Sequence, residues 1–269
     1  MGIHLIVDYY EDERPDRREE FLVCMRRNLN HPHIEAVYNL GSNRYAPPAD
    51  IREHPKYRSH PTGHRLTFKD AFEFASASLP GQFVGMCNLD IFLDDSSSDW
   101  LTAEQLVRQH NLVLCQSRIE RAADGTTSQD QTFARLLFAN AQDAWFFIAP
   151  LEVPNAAFEL GTLGCDNAIA DRIRKAGRIP INLGSRFKVV HVDICRGKHG
   201  ANTNLLHAQE SKERDTVYSR FPERDGCYLV PDFDMATSLD AIMDALSIAP
   251  LHKYRVICDI MSQIIKIQN

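Results

Sequence analysis

Gln82-Phe83-Val84-Gly85-Met86-Cys87-Asn88-Leu89-Asp90-Ile91-Phe92-Leu93-Asp94-Asp95 is the stretch on which the fold turns. Residues 82–88 are almost continuously apolar or small, the pattern of a strand covered on both faces, and such strands sit in sheets with helices on each side. The run then passes into polar and acidic residues at 88–95, so the end of a buried strand carries carboxylates. In an open α/β sheet that end is where ligands bind.

Upstream, residues 3–9 form another short run of β-formers, and Pro15 stands where a helix would begin. Phe21, Leu22, Met25 and Leu29 recur at helical spacing, and Asn30-His31-Pro32 stops that helix before a second strand at 34–40. Strand, helix, strand is the opening of a parallel sheet. Residues 41–63 hold Pro47, Pro48, Pro55 and Pro61 among His and Arg, and read as a long loop able to order on a ligand. Thr67 is placed to cap a helix carrying Phe68, Ala71, Phe72 and Ala75, which Pro80-Gly81 ends.

Downstream, the pattern predicts a helix at 100–109, strands at 111–117 and 144–149, a polar excursion at 124–131, a helix at 166–176 closed by Gly177, and strands at 179–181 and 188–192. Residues 197–224 read as loop plus helix, and 239–246 and 254–267 as apolar-periodic helices. The expected architecture is one α/β domain over 1–198, Rossmann-like with a mostly parallel sheet, and a helical C-terminal extension over 199–269 packed on it.

Composition narrows the function. The chain has 269 residues, 30 Lys+Arg against 36 Asp+Glu and 44% apolar residues, enough for a substantial core. The net charge of −6, with its cations scattered, argues against binding nucleic acid by phosphate neutralisation. No run reaches the roughly 18–20 apolar residues of a membrane helix, and the N-terminus does not read as a signal peptide. Seven cysteines without a C-x-x-C pair read as reduced thiols, so a cytoplasmic setting is expected.

Three features fall in order along the chain: the acidic turn at 88–95, Gly164-Cys165-Asp166-Asn167 at a helix start, and His191 at the end of a late strand. Asp90 and a neutral His191 are candidate ligands of a divalent cation bridging diphosphate oxygens. Asp166 is a candidate base that would deprotonate an attacking hydroxyl, and equally a helix N-cap. Asp94 and Asp95 suit a solvated turn, and His191 alone would suit a core position.

These residues resemble nucleotide-sugar-dependent glycosyltransferases of the GT-A fold. Phe158-Glu159-Leu160-Gly161, Gly164-Cys165-Asp166-Asn167, Ile169-Ala170-Asp171-Arg172-Ile173, Ala176-Gly177 and His191 are similar to their acceptor-side motif. Asn88-Leu89-Asp90-Ile91 resembles the Asp-x-Asp turn, with Asn88 at its first position. Gln142-Asp143-Ala144-Trp145, and Ser117-Arg118 with Glu120, are similar to segments of a bacterial and viral subgroup. The resemblance covers residues 3–198.

The resemblance implies transfer of a sugar from a nucleotide-diphosphate donor to a hydroxyl acceptor, with inversion, in glycan or polysaccharide synthesis. It implies Asp8, Tyr9, Tyr10 and Arg65 at the nucleotide and diphosphate, and Asn88 in the turn. It further implies Arg118 and Asp143 at the donor sugar or diphosphate, Mn²⁺ or Mg²⁺ on Asp90 and His191, and Asp166 as base. Arg118 and Asp143 also suit a structural ion pair, and Arg65 a surface charge at a helix start. A non-catalytic sugar-nucleotide or glycan-binding module of the same fold is the alternative. Walker loops, G-x-G-x-x-G and G-x-S-x-G elbows are missing from the sequence. Trp145-Phe146-Phe147 reads as core, and His54, His60 and His64 as a solvated loop.

Overall fold

The structure, a computed structural model, describes residues 2–95, 100–121, 125, 127–129, 138–139, 142–162, 165–184, 186–194 and 230–231. In chain order the elements open with β1 (Ile3–Val7), α1 (Pro15–Asn30), β2 (Ile34–Asn39), α2 (Ala49–Arg52), β3 (Tyr57–Ser59), α3 (Phe68–Ser78), β4 (Phe83–Cys87) and β5 (Ile91–Leu93). There follow α4 (Trp100–His110), β6 (Leu112–Gln116), β7 (Arg118–Arg121), β8 (Thr127–Gln129), β9 (Phe138–Ala139) and β10 (Ala144–Ile148). The last are α5 (Cys165–Lys175), β11 (Ile179–Ile181), β12 (Val189–Val192) and β13 (Val230–Pro231).

Seven strands make the main sheet in the order β11-β6-β10-β4-β1-β2-β3. All its neighbours are parallel except around β10, which runs antiparallel between β4 and β6. This is the mostly parallel, Rossmann-like sheet that the sequence implies.

The two-residue period of the strands sorts their side chains onto two faces. Ile3, Leu5 and Val7 of β1, Leu112 and Leu114 of β6 and Phe146 of β10 join α1 and α4 in one apolar cluster. Ile6, Val113, Trp145 and Phe147 point the other way, into a cluster with Phe68 and Phe72 of α3 and Ile169 and Ile173 of α5. Trp145 is fully buried, as its sequence context predicts. Gly85 permits close strand packing, since a Cβ there would lie 2.7 Å from the Phe146 ring. Thr67 closes the capping box with Asp70 at the start of α3.

Several expectations change. The loop at 41–63 contains α2 and β3, and β3 extends the main sheet as a parallel edge strand. The acidic turn after β4 contains β5, and the strand bearing His191 leaves the main sheet for a second one, ordered β5-β12-β7-β8. Four consecutive buried residues in β12 fit either sheet, so the apolar pattern alone does not choose between them. Apart from 230–231, which pair with β9, the extension expected at 199–269 lies outside the described residues, as do Gly164 and Cys195, Cys227 and Cys258. Cys24, Cys87, Cys115 and Cys165 are free and buried, and burial pushes their thiols up, away from the reactive thiolate. Among the described residues, no helix is long and apolar enough to cross a membrane.

Candidate functional site

The candidate residues gather along the edge of the main sheet formed by the carboxyl ends of β1 and β4 and the start of β10. The first group follows β1. Asp8 is buried, and its Oδ2 lies 2.8 Å from Nε of Arg65 in an ion pair and accepts from the Leu66 amide at 3.4 Å. Burial raises the Asp8 carboxyl, and the Arg65 charge opposes that rise. The Arg65 guanidinium lies over the Tyr10 ring, 4.0 Å from its centroid. The Tyr9 amide donates to Asn39 Oδ1 at 3.0 Å, and so does the Gly41 amide at 3.2 Å, which ties the end of β1 to the end of β2. Gly41 is required there, because a Cβ would stand 2.3 Å from Asp8 Oδ1.

Beyond Asn39 a cavity of about 460 Å³ opens, lined by Tyr45, Arg52, Tyr57, Arg58 and His60 among others. That volume lies within the range of small-ligand sites. The segment expected to be a ligand-ordered loop builds this wall, and among the described residues no carboxylate lines it.

The second group is a continuous chain of charged bonds. Asn88 Nδ2 donates to Asp143 Oδ1 at 2.8 Å, and Arg118 Nη1 donates to Asp143 Oδ2 at 3.0 Å. Arg118 Nε donates to Glu120 Oε1 at 2.6 Å, and the other Glu120 oxygen bonds His191 Nδ1 at 2.7 Å. His191 Nε2 bonds Asp90 Oδ2 at 3.1 Å, and the same oxygen accepts from Arg17. Arg17 also donates to Glu20 and to the Val192 carbonyl, each at 2.8 Å. Burial opposes a charge on His191, but the bonds to Asp90 and Glu120 outweigh it and hold the imidazole up at about 9. Glu120 is likewise disfavoured by burial, yet its bond to His191 and the charges of His191 and Arg118 draw it down to about 2.

His191, bonded as it is, does not fit as a ligand of a divalent cation. Carboxylate oxygens only accept, so both ring nitrogens of His191 donate and neither has a lone pair for a metal. Asp90 Oδ2 already holds a guanidinium and an imidazole. Among the described residues no three His, Cys, Asp or Glu side chains converge to hold an ion.

Asp166 stands at the far end of the row, in the first turn of α5 and one residue past its first. Asp166 thus lies within the helix and not at the N-cap place expected for it. Its Oδ1 accepts from the Asn167 amide at 3.0 Å and its Oδ2 from the Gln142 amide at 3.2 Å, beside Asp143. Burial, with the nearby Asp143 charge, pushes the Asp166 carboxyl up to about 6 against the pull of those amides.

The sequence passed over Arg17, whose place in the charged run 11–20 reads as a solvated helix start. The signal was there: Arg17, Phe21, Cys24 and Asn28 share a helical face, and all are buried. Gln142 and Gly41 act through backbone amides and close approach, which residue type alone does not advertise.

No protein-family model matches this chain, and no curated protein sequence matches it either. Among solved structures it is similar to S. aureus TarS residues 1–349, with a TM-score of 0.46 at 12% identity over 71% of this chain and 60% of that one. It is similar to the same protein in complex with UDP-GlcNAc, with a TM-score of 0.47 at 10% identity over 72% and 59%. A third is 4-diphosphocytidyl-2C-methyl-D-erythritol synthase, with a TM-score of 0.36 at 16% identity over 67% of this chain and 87% of that one. The chain thus spans about three fifths of the TarS fragment.

Proposed function

We propose that this protein is a nucleotide-sugar-dependent glycosyltransferase that moves a sugar to a hydroxyl acceptor by direct displacement, with Asp166 as general base. The observation that carries the reading is the row of groups along one sheet edge. Asp8, Tyr10 and Arg65 stand at β1, Asn88 and its partners Asp143 and Arg118 at β4 and β10, and Asp166 follows at α5. Neighbouring strands lie about 4.8 Å apart, so the step from β1 to β10 is about 10 Å, the span of a diphosphate with its sugar. The cavity beside Asn39 supplies tyrosine rings and guanidinium groups for the nucleoside.

In this reading Arg65 and Arg118 face the diphosphate charge, and Asp143 positions Arg118 and Asn88 by occupying one carboxylate oxygen with each. As the acceptor oxygen bonds to the anomeric carbon, its proton passes to an Asp166 oxygen, and the bond to the diphosphate oxygen breaks with its electron pair leaving on the nucleoside diphosphate. A carboxylate titrating at about 6 is ionised at neutral pH yet basic enough to take that proton.

The test is release of nucleoside diphosphate from UDP-, GDP-, CDP- and dTDP-sugars with a panel of methyl glycosides as acceptors. Release that requires acceptor and is lost in a folded Asp166→Asn variant is the expected result. Binding of a donor with no turnover on any acceptor would favour the alternative, a sugar-nucleotide-binding module.

A further inference from the structure

We infer that the positive charge a transferase of this kind needs at its donor diphosphate is built into the chain, as Arg65 and Arg118, and that donor binding at this site requires no divalent cation. The inference rests on the glycosyltransferase reading above.

Its ground is the disposition of the cationic groups. Asp90, the acidic residue at the end of β4 and the natural anchor for a metal, is held by Arg17 from α1 and by His191 from β12. Arg17 has 2% of its side chain exposed, so it neutralises Asp90 without reaching a ligand. A metal ion on Oδ2, at about 2.0–2.2 Å, would have to expel one of those partners, and one on Oδ1 would set two more positive charges beside both of them. His191 offers no replacement, because each of its nitrogens is bonded to a carboxylate.

Arg65 and Arg118 are different. Their side chains keep 37% and 35% of their surface exposed, on either side of the turn at Asn88. Each is oriented by a buried carboxylate, Asp8 or Asp143. Arg118 uses Nε and Nη1 on Glu120 and Asp143, and among the described residues its Nη2 is uncommitted. Guanidinium forks held in this way match a phosphate's paired oxygens. Asp90 then has a different task, to join α1 and β12 at the junction of the two sheets.

Two measurements on the full chain test this. Calorimetric titration with UDP, GDP, CDP and dTDP, each in EDTA and again in millimolar Mn²⁺, should give one nucleotide class whose Kd agrees between the two conditions within about threefold. In EDTA, Arg65→Gln and Arg118→Gln should each weaken that Kd by at least about tenfold. Electron paramagnetic resonance of Mn²⁺ alone with wild-type protein should keep the free-ion spectrum at sub-millimolar concentration. An immobilised Mn²⁺ signal, or a Kd that Mn²⁺ tightens by about tenfold or more, would overturn the inference, and the wild-type measurements need no variant to fold. If no nucleoside diphosphate binds in either condition, the glycosyltransferase reading itself fails and this inference falls with it.

Discussion

Asp166→Asn should make the protein more stable and less active, and the two effects have separate origins. The carboxyl titrates at about 6 in the folded protein against an ordinary value of 3.8, so between those values the folded state keeps a proton that the unfolded chain has released. Stability linked to this group therefore falls as pH rises from about 4 to about 6 and stays at its lower level above. At about 1.4 kcal/mol per pH unit, the gap sets an upper bound of about 3 kcal/mol on what an ionised Asp166 costs at pH 8. The variant removes that cost but turns an amide N–H₂ toward either the Asn167 or the Gln142 amide, losing one hydrogen bond of about 1 kcal/mol. A net gain of up to about 2 kcal/mol remains, a rise in melting temperature of roughly 4–8 °C at pH 8 that shrinks to nothing near pH 4. Turnover should fall by about 10²- to 10⁴-fold, and the acidic limb of kcat/KM, with its midpoint near 6 in the wild type, should disappear. Differential scanning fluorimetry from pH 4 to 8 and initial rates over the same range measure both. If the variant melts with the wild type at every pH, or keeps turnover within about tenfold, Asp166 is not the strained base described above.

Asp90→Asn leaves Arg17 and His191 buried against one carboxylate fewer and should lower unfolding free energy by about 2–4 kcal/mol, read as a shift of the urea midpoint with unchanged slope. Gly41→Ala forces the Asp8 carboxylate aside, since the new Cβ would stand 2.3 Å from Oδ1 and 2.9 Å from the Tyr9 carbonyl oxygen. Nucleoside-diphosphate affinity should drop by at least about tenfold while a cooperative melt persists, and unchanged affinity would detach Asp8 from the donor. His191 titrates at about 9 when folded against 6.5 ordinarily, so its contribution to stability is whole below 6.5 and is lost as pH rises through about 9. Urea unfolding at pH 6 and again above pH 9 should show that loss, and His191→Gln should flatten it.

The main sheet was legible because each of its central strands is covered on both faces. An unbroken apolar run then marks a strand, as at Phe83, Val84, Met86 and Cys87, and helical spacing between the runs marks the layers. The second sheet was hidden because its strands are short and carry the site's charges. In β7 Arg118, Glu120 and Arg121 surround a single apolar Ile119, and β5 is three residues following an acidic turn. The edge strand β3 has Tyr57 as its only apolar residue and follows Pro55. Asp90, Asp166 and His191 stood out as candidates because carboxylates and a histidine fall at the ends of predicted elements. Arg17 did not, since its ion pair with Asp90 links residues far apart in sequence, whereas Arg118 and Asp143, which the sequence also offers as an ion pair, do form one.

The chain of charges follows from how this fold changes sheets. The polypeptide leaves the main sheet after Cys87 and enters the second at Ile91, and it does so again between Gln116 of β6 and Arg118 of β7. Both crossings occur at the same edge, so Asn88 and Asp90 stand on opposite sides of one junction, and Arg118 meets Asp143 on one side and Glu120 on the other. Burying so many ions adds little net stability, because desolvation offsets most of their attraction. What the bonds fix is direction. Asp143 has both oxygens occupied and Glu120 likewise, so the Arg118 guanidinium is held at two of its nitrogens and has few orientations left to it. Under the proposed function, a cation fixed in that way would meet the donor diphosphate without reorganising when charge develops on the leaving group, which is the condition for electrostatic stabilisation of a transition state. The second sheet, with β12 supplying His191 and β7 supplying Arg118 and Glu120, therefore acts as a brace for one edge of the first.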